Sequence, residues 1–352
     1  MLGCGHILMT PAIRIHKLAA TALLAVMAAA SAAAQAACQL VKVGDIPVTL
    51  RGVPVAPVSL DGHPAQLIVD TGAYSSLLWR EAVAAFGIRR LGLSGGRVAG
   101  AGGTDQTELV SVRDFALADY VVHDLRFLAV GGLGAQQFAS GSVAGLLGED
   151  FLSSMDVEFD LAAGRVRLFQ PQGCNGDQVV YWAPAYFMVE LAAPPAGTRW
   201  LQVHVSLNGH DAVAVFDTGA SVSTVMTHAA RRAGVAADGP GQTMHGVGPQ
   251  SVQMSLARFS TLTIGQETIR NPFLAIADVF GAQREVQLGS YIKRSSFTEP
   301  DMILGADFFA AHRIYIARSQ GRMYFTYLGS PLFQPPAGAA NPGPASDPGA
   351  QR

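Results

Sequence analysis

The sequence predicts a mainly β protein built from two homologous halves. Three observations carry that expectation. A sixteen-residue stretch occurs twice, an Asp-Gly or Asn-Gly turn signal sits at the same place in each copy, and the apolar runs are short and punctuated by glycine, which leaves little room for long helices.

The repeat aligns Val58 to Ala73 with Val205 to Ala220, and ten of the sixteen positions are identical. In each copy two apolar runs flank Asp61-Gly62 or Asn208-Gly209, the strongest short hairpin signal, and the second run ends in Asp-Thr-Gly-Ala, at Asp70 and at Asp217. Ser76 to Phe86 and Ser223 to Ala233 read as short helical or irregular stretches, each stopped by a glycine, Gly87 or Gly234, suited to a left-handed cap. Gly100-Ala101-Gly102 and Gly246-Val247-Gly248 then fall between β-rich runs, as hairpin tips would. Each half closes on an apolar pair and a glycine, Leu146-Leu147-Gly148 and Ile303-Leu304-Gly305, before its last strand. The halves are placed at 40–172 and 178–333, with a linker from Gln170 to Asp177, an extra polar loop from Gly281 to Pro300, and a Pro/Gly/Ala/Ser tail over 335–352 expected to be disordered.

A chain of 352 residues, about half of them hydrophobic, can bury two cores. A net charge of −2 offers no electrostatic footprint for nucleic acid or anionic lipid. Residues 1–36 read as an export signal: Arg14, His16 and Lys17 precede an Ala/Leu run, and Ala34-Gln35-Ala36 supplies a small-x-small cleavage site. The mature protein is therefore expected in the periplasm or outside the cell, without stable membrane insertion. A lipid-bearing Cys38 is disfavoured by Gln35, which stands where an aliphatic residue is wanted. With Cys4 lost in the signal, Cys38 and Cys174 form an even pair that fits a disulfide in an oxidising compartment, two free buried thiols being the alternative.

With both Asp-Thr-Gly-Ala motifs in view, the chain resembles the aspartic peptidases, and within them the retropepsin-like branch in a duplicated, single-chain, secreted form of bacterial type. The run from Ala214 to Val225 fits the family signature at every constrained position, whereas Tyr74 departs from it in the first copy, where a small, polar or acidic residue is usual. The resemblance implies two acid-protease-like lobes related by a pseudo-two-fold axis with a cleft between them. It implies catalytic Asp70 and Asp217, supported by Thr71, Gly72 and Ala73 and by Thr218, Gly219 and Ala220. The two threonine hydroxyls would bond across to the opposite loop. Gly148 and Gly305 would pack beneath the active loops, and flap tips would lie at Gly100, Ala101, Gly102 and Gly103 and at Gly246, Val247 and Gly248. It also implies a peptide or protein substrate, no cofactor and a monomer, since one chain holds both halves.

The chemistry follows from electrostatics. Two carboxyl groups drawn together cannot both ionise cheaply, so they share a proton: one serves as general base toward a water and the other as general acid toward the scissile carbonyl. An inactive bilobal peptide-binding protein is the alternative from another class. An acid glycosidase would need a carboxyl separation set by a saccharide cleft, against which the internal symmetry speaks. Gly92-Leu93-Ser94-Gly95-Gly96 matches a nucleophile-elbow pattern, but without an apolar strand leading in it reads as a loop. His63 and His210 recur beside polar turn residues and are expected at the surface, and no spacing indicates a metal site.

Overall fold

The computed structural model describes residues 38–131, 143–195, 197–236, 241–246, 250–280 and 299–334. The export signal, the tail and nearly all of the 281–300 loop lie outside them. The described chain is mainly β and forms three sheets. An eight-stranded sheet takes its strands from 49–147 and a nine-stranded sheet takes its strands from 201–304, one for each half. The third sheet, of six strands, belongs to both.

Each copy of the repeat forms the predicted hairpin. Pro54–Leu60 pairs antiparallel with His63–Val69, and Leu201–Leu207 with His210–Phe216. The two-residue turns hold φ of 51° and 83° at Asp61 and Gly62, and 50° and 81° at Asn208 and Gly209. Positive φ at both central residues matches the twist of the flanking strands and explains the Asp-Gly and Asn-Gly choice.

The strand ending at Val69 runs parallel to Val143–Leu147, and that same strand pairs on its other side, antiparallel, with Leu77–Trp79. The second half repeats this with His210–Phe216, Met302–Leu304 and Thr224–Met226. Asp70 and Asp217 therefore sit on loops that leave one strand and enter another with a third wedged between them. The wedge continues into the loops, since the Asp70 and Asp217 amides donate to the Leu147 and Leu304 carbonyls at 2.9 Å each.

Several expectations from the sequence need correction. Ser76–Phe86 and Ser223–Ala233 each open with a fully buried strand, Leu77–Trp79 or Thr224–Met226, before the one helix, Arg80–Ala85 or Thr227–Arg232. Three residues are too few to show a period-2 pattern, so the strand was hidden. Gly92 to Gly96 is not a loop but part of the strand Arg89–Gly100, whose pairing skips across it in two register shifts, with φ of 67° at Gly92 and 89° at Gly96. These glycines bulge the strand rather than end it. Gln170 to Gln172 belongs to the strand Arg165–Gln172, so the connection between halves begins at Gly173.

The six-stranded sheet alters the picture of two separate lobes. Gln39–Pro47, Arg165–Gln172 and Asp156–Asp160 come from the first half, and His312–Ala317, Arg322–Tyr327 and Phe187–Glu190 from the second. The seam pairs Val157 with Ile316 and Phe159 with Ile314. Arg313 reaches the fully buried Glu158 at 3.0 Å and Arg318 reaches Glu149 at 2.7 Å, both across the seam. Partnering of this kind is what makes a buried carboxylate tolerable.

Cys38 and Cys174 are joined in a disulfide, with Cα atoms 4.3 Å apart. It clips the outermost strand of the shared sheet to the connection between halves and closes a loop of 136 residues. Replacing both cysteines by serine should lower unfolding stability by roughly 2 kcal/mol, chiefly by freeing the unfolded chain. An unchanged urea midpoint in the double variant would show that strand pairing alone holds this edge.

Candidate active site

The two Asp-Thr-Gly loops meet at the seam between the halves. Thr71 and Thr218 are fully buried. The Thr71 amide donates to Thr218 Oγ1 and the Thr218 amide to Thr71 Oγ1, both at 3.1 Å. Each hydroxyl in turn donates to a carbonyl of the opposite strand, Thr71 to Phe216 O at 3.0 Å and Thr218 to Val69 O at 2.6 Å. This ring of four bonds engages the amide and the hydroxyl of both threonines, and it fixes one loop against the other through buried groups that cannot turn to water instead.

That lock sets the carboxyl groups. Asp70 Oδ1 accepts from the amides of Gly72 at 2.8 Å and Ala73 at 3.1 Å. Asp217 Oδ1 accepts from Gly219 at 2.9 Å and Ala220 at 3.1 Å. The two carboxyl groups are close enough for each to act on the other's protonation. A Cβ added to Gly72 would stand 2.3 Å from Asp217 Cγ, and one added to Gly219 would stand 2.5 Å from Asp70 Cγ. Each acid therefore rests on the glycine of the opposite loop, which is why that position carries no side chain.

Both residues keep part of their surface open to the cleft, yet their carboxyl groups are shielded from bulk solvent. Burial raises the pKa of Asp70 well above the ordinary aspartate value, and the neighbouring Asp217 charge raises it further. Burial also raises Asp217, against the hydrogen bonds from Asp70, Ala220 and Gly219. A carboxyl pair in this setting titrates as a unit and holds one proton over a broad pH range.

Gly148 and Gly305 lie directly under the loops. A Cβ there would meet Ala73 O at 2.9 Å or Ala220 O at 2.7 Å. Beneath them is a buttress that the sequence reading missed. Ser76 Oγ donates to Asp150 Oδ1 at 2.6 Å and accepts from the Gly148 amide at 3.0 Å. Ser223 Oγ repeats this with Asp307 at 2.6 Å and Gly305 at 2.9 Å. The signal was present: both serines lie six residues after the motif aspartate, and both acids lie two after the glycine. Next to Gly148, the buried Glu149 has its pKa pushed up to about 7 by burial, against its ion pair with Arg318. The second half has Ala306 at that place.

The residues expected to form the first flap lie on the hairpin Arg89–Gly100 and Gly103–Leu117, with Ala101 and Gly102 at its tip and Gly100 opposite Gly103. The second is Gln242–His245 with Ser251–Arg258. Of its tip, Gly246 is described, while Val247 and Gly248 lie outside the described residues. The tips touch: the Gln250 amide donates to Gly102 O at 2.9 Å, and the Ala101 Cβ sits 2.6 Å from where a Cβ on Gly246 would be. Ala101 packs on an apolar cluster of the second half that includes Met226, Val279, Phe280 and Ile303. His63 and His210 are exposed and remote from this chemistry. Among the described residues no three His, Cys, Asp or Glu side chains converge as a metal site requires. A surface cavity of about 600 Å³ in the second half, lined by Val213, His228, Arg232 and Asp301, takes no residue from either acid loop.

Two mirrored acid loops, locked to each other on a bilobal β scaffold, are the arrangement that the aspartic-type peptidases share. The family comparison agrees: a model described as aspartyl protease matches the chain twice, over residues 56–151 and 203–308, and the chain belongs to that family. No curated protein matches the chain.

Proposed function

We infer that the protein is an aspartic endopeptidase whose catalytic groups are Asp70 and Asp217. The observation that carries this reading is the meeting of the two carboxyl groups, each resting on the glycine of the opposite loop and each anchored by two backbone amides. The ionised member takes a proton from a water held between them while the protonated member donates to the oxygen of the scissile carbonyl. Water oxygen bonds to the carbonyl carbon and gives a tetrahedral diol. Its collapse breaks the C–N bond as the carboxyl pair returns a proton to the departing amine, with no acyl-enzyme.

The test is digestion of a mixed peptide library by the wild type, with and without a pepstatin-type inhibitor, beside Asp70→Asn and Asp217→Asn. Cleavage by the wild type alone supports the reading. Binding of peptides without cleavage in any form would assign an inactive bilobal binding protein instead. Because both halves lie in one chain, activity should be independent of protein concentration, as a monomer requires. Export to the periplasm or medium completes the proposal; it is supported by the Cys38–Cys174 disulfide, and cell fractionation tests it.

The pH profile provides a further prediction. Ala73 and Ala220 bring no hydroxyl that could favour the ionised carboxylates, while burial raises both groups. The range in which the pair holds one proton is therefore displaced upward, and kcat/KM should trace a bell on the mildly acid side of neutrality. Activity confined below about pH 3, under the ordinary aspartate value, would contradict it.

A further inference from the structure

The wall of the cleft beside the Asp70 loop carries a charge that the duplication does not repeat. The residue after Asp-Thr-Gly-Ala is Tyr74 in the first loop and Ser221 in the second. Tyr74 is 50% exposed, and the Arg199 guanidinium lies over its ring, 4.6 Å from the centroid. In the repeat register, Arg199 corresponds to Gly52. The structure keeps that correspondence, because a Cβ on Gly52 would stand 3.6 Å from the Ser221 Cβ. Where one loop presents Arg199 on Tyr74, the other therefore presents a bare glycine on a serine.

Arg199 is held at this place by its neighbour. The Trp200 indole N–H donates to the Gly72 carbonyl at 3.3 Å, two residues from Asp70, and Trp200 packs on the same apolar cluster as the flap-tip residue Ala101. The guanidinium thus stands beside the Asp70 loop. Among the described residues it makes no hydrogen bond and no ion pair. The carboxylate that feels its charge, Glu149, is buried below the loop and already paired with Arg318. A planar cation fixed on an aromatic face, with its fork of donors uncommitted, is preorganised for a carboxylate.

We propose that Arg199, held over Tyr74, determines specificity by receiving an acidic side chain of the peptide substrate on the Asp70 side of the scissile bond, while the Gly52–Ser221 pair leaves the other side open to uncharged residues. This deepens the peptidase reading and rests on it for the word substrate. It also gives a nearly two-fold cleft a direction, since a peptide with an acid on one side of the cleaved bond fits in one orientation.

The test uses matched peptides that carry a single Glu or Gln at each successive position around a cleavable bond. Binding is measured to Asp217→Asn at about pH 6.5, where Glu is ionised, and cleavage is measured with the wild type. At one position Glu should be favoured over Gln by about tenfold, and added salt should shrink that ratio. Arg199→Met should bring the ratio close to one, and Arg199→Lys should keep part of it. A ratio near one at every position, or one that survives Arg199→Met, overturns the proposal. So does an equal loss for both peptides in Arg199→Met, which would make Arg199 merely a brace for Tyr74. Binding to Asp217→Asn with the Glu preference, beside no cleavage by the wild type, sinks the peptidase reading alone. Cleavage without any Glu preference sinks this inference alone, and absence of binding by either peptide sinks both.

Discussion

Asp217→Asn should lower kcat at least about a thousandfold and at the same time make the protein more stable at pH 7. The two effects have one cause. Asn retains the shape, and its carbonyl oxygen can still accept from the Gly219 and Ala220 amides. Its amide can donate to Asp70, so no buried partner is orphaned. What it cannot do is exchange a proton, and the pair loses its acid–base cycle. Burial raises the folded-state pKa of Asp217, so the folded protein binds this proton more tightly than the unfolded chain does. Stability then falls as pH rises from the ordinary aspartate value through the folded one, and above that point the wild type carries the full cost of a buried charge. The variant has only Asp70 left to ionise there, without a second carboxylate beside it. Its melting temperature should exceed that of the wild type by a few degrees at pH 7, and the gap should close on approach to about pH 3, where both carboxyls are protonated in either state. A variant less stable than the wild type at pH 7 would mean that Asp217 is held by its partners more than it is penalised by burial, and the raised pKa would be wrong.

The repeat made most of this site legible. Duplication tied two short motifs to two equivalent strand ends, and the Asp-Gly and Asn-Gly turns fixed the hairpins that deliver them. The recurrence of an apolar pair followed by glycine at the close of each half paired Gly148 with Gly305, and the resemblance to the aspartic peptidases placed them under the loops. What escaped notice depended on contacts between parts distant in sequence. The three-residue strands Leu77–Trp79 and Thr224–Met226 are held by strands on both sides, Val143–Leu147 and Tyr120–Val130 for the first and Met302–Leu304 and Phe273–Ala277 for the second. The Ser76–Asp150 and Ser223–Asp307 buttresses join residues 74 and 84 positions apart. The shared sheet, which makes the two halves one body, uses strands whose apolar runs say nothing of the partner they will choose. Local pattern reports which face of a strand is buried, but register across a seam is set by packing.

Gly72→Ala tests how closely the two loops must approach, and it should reduce kcat at least about a hundredfold with a much smaller loss of stability. The added methyl would lie 2.3 Å from Asp217 Cγ and 2.5 Å from each of its oxygens, well inside contact distance. A free carboxylate would swing aside at little cost. This one is tethered by the Gly219 and Ala220 amides, so any retreat breaks contacts that hold it against Asp70. The loops themselves cannot part, because Thr71 and Thr218 clasp each other and the strands behind them. Displacement therefore falls on the two carboxyl groups. Gly62→Ala provides the contrast: nothing lies within 4 Å of its Cβ, but φ is +83°. That change should cost about 1 kcal/mol of stability through backbone strain and leave kcat/KM unaltered. If Gly72→Ala behaved like Gly62→Ala, keeping its activity and losing only stability, the carboxyl pair would not be as close as the loops place it, and the proton shared between Asp70 and Asp217 would lose its structural basis.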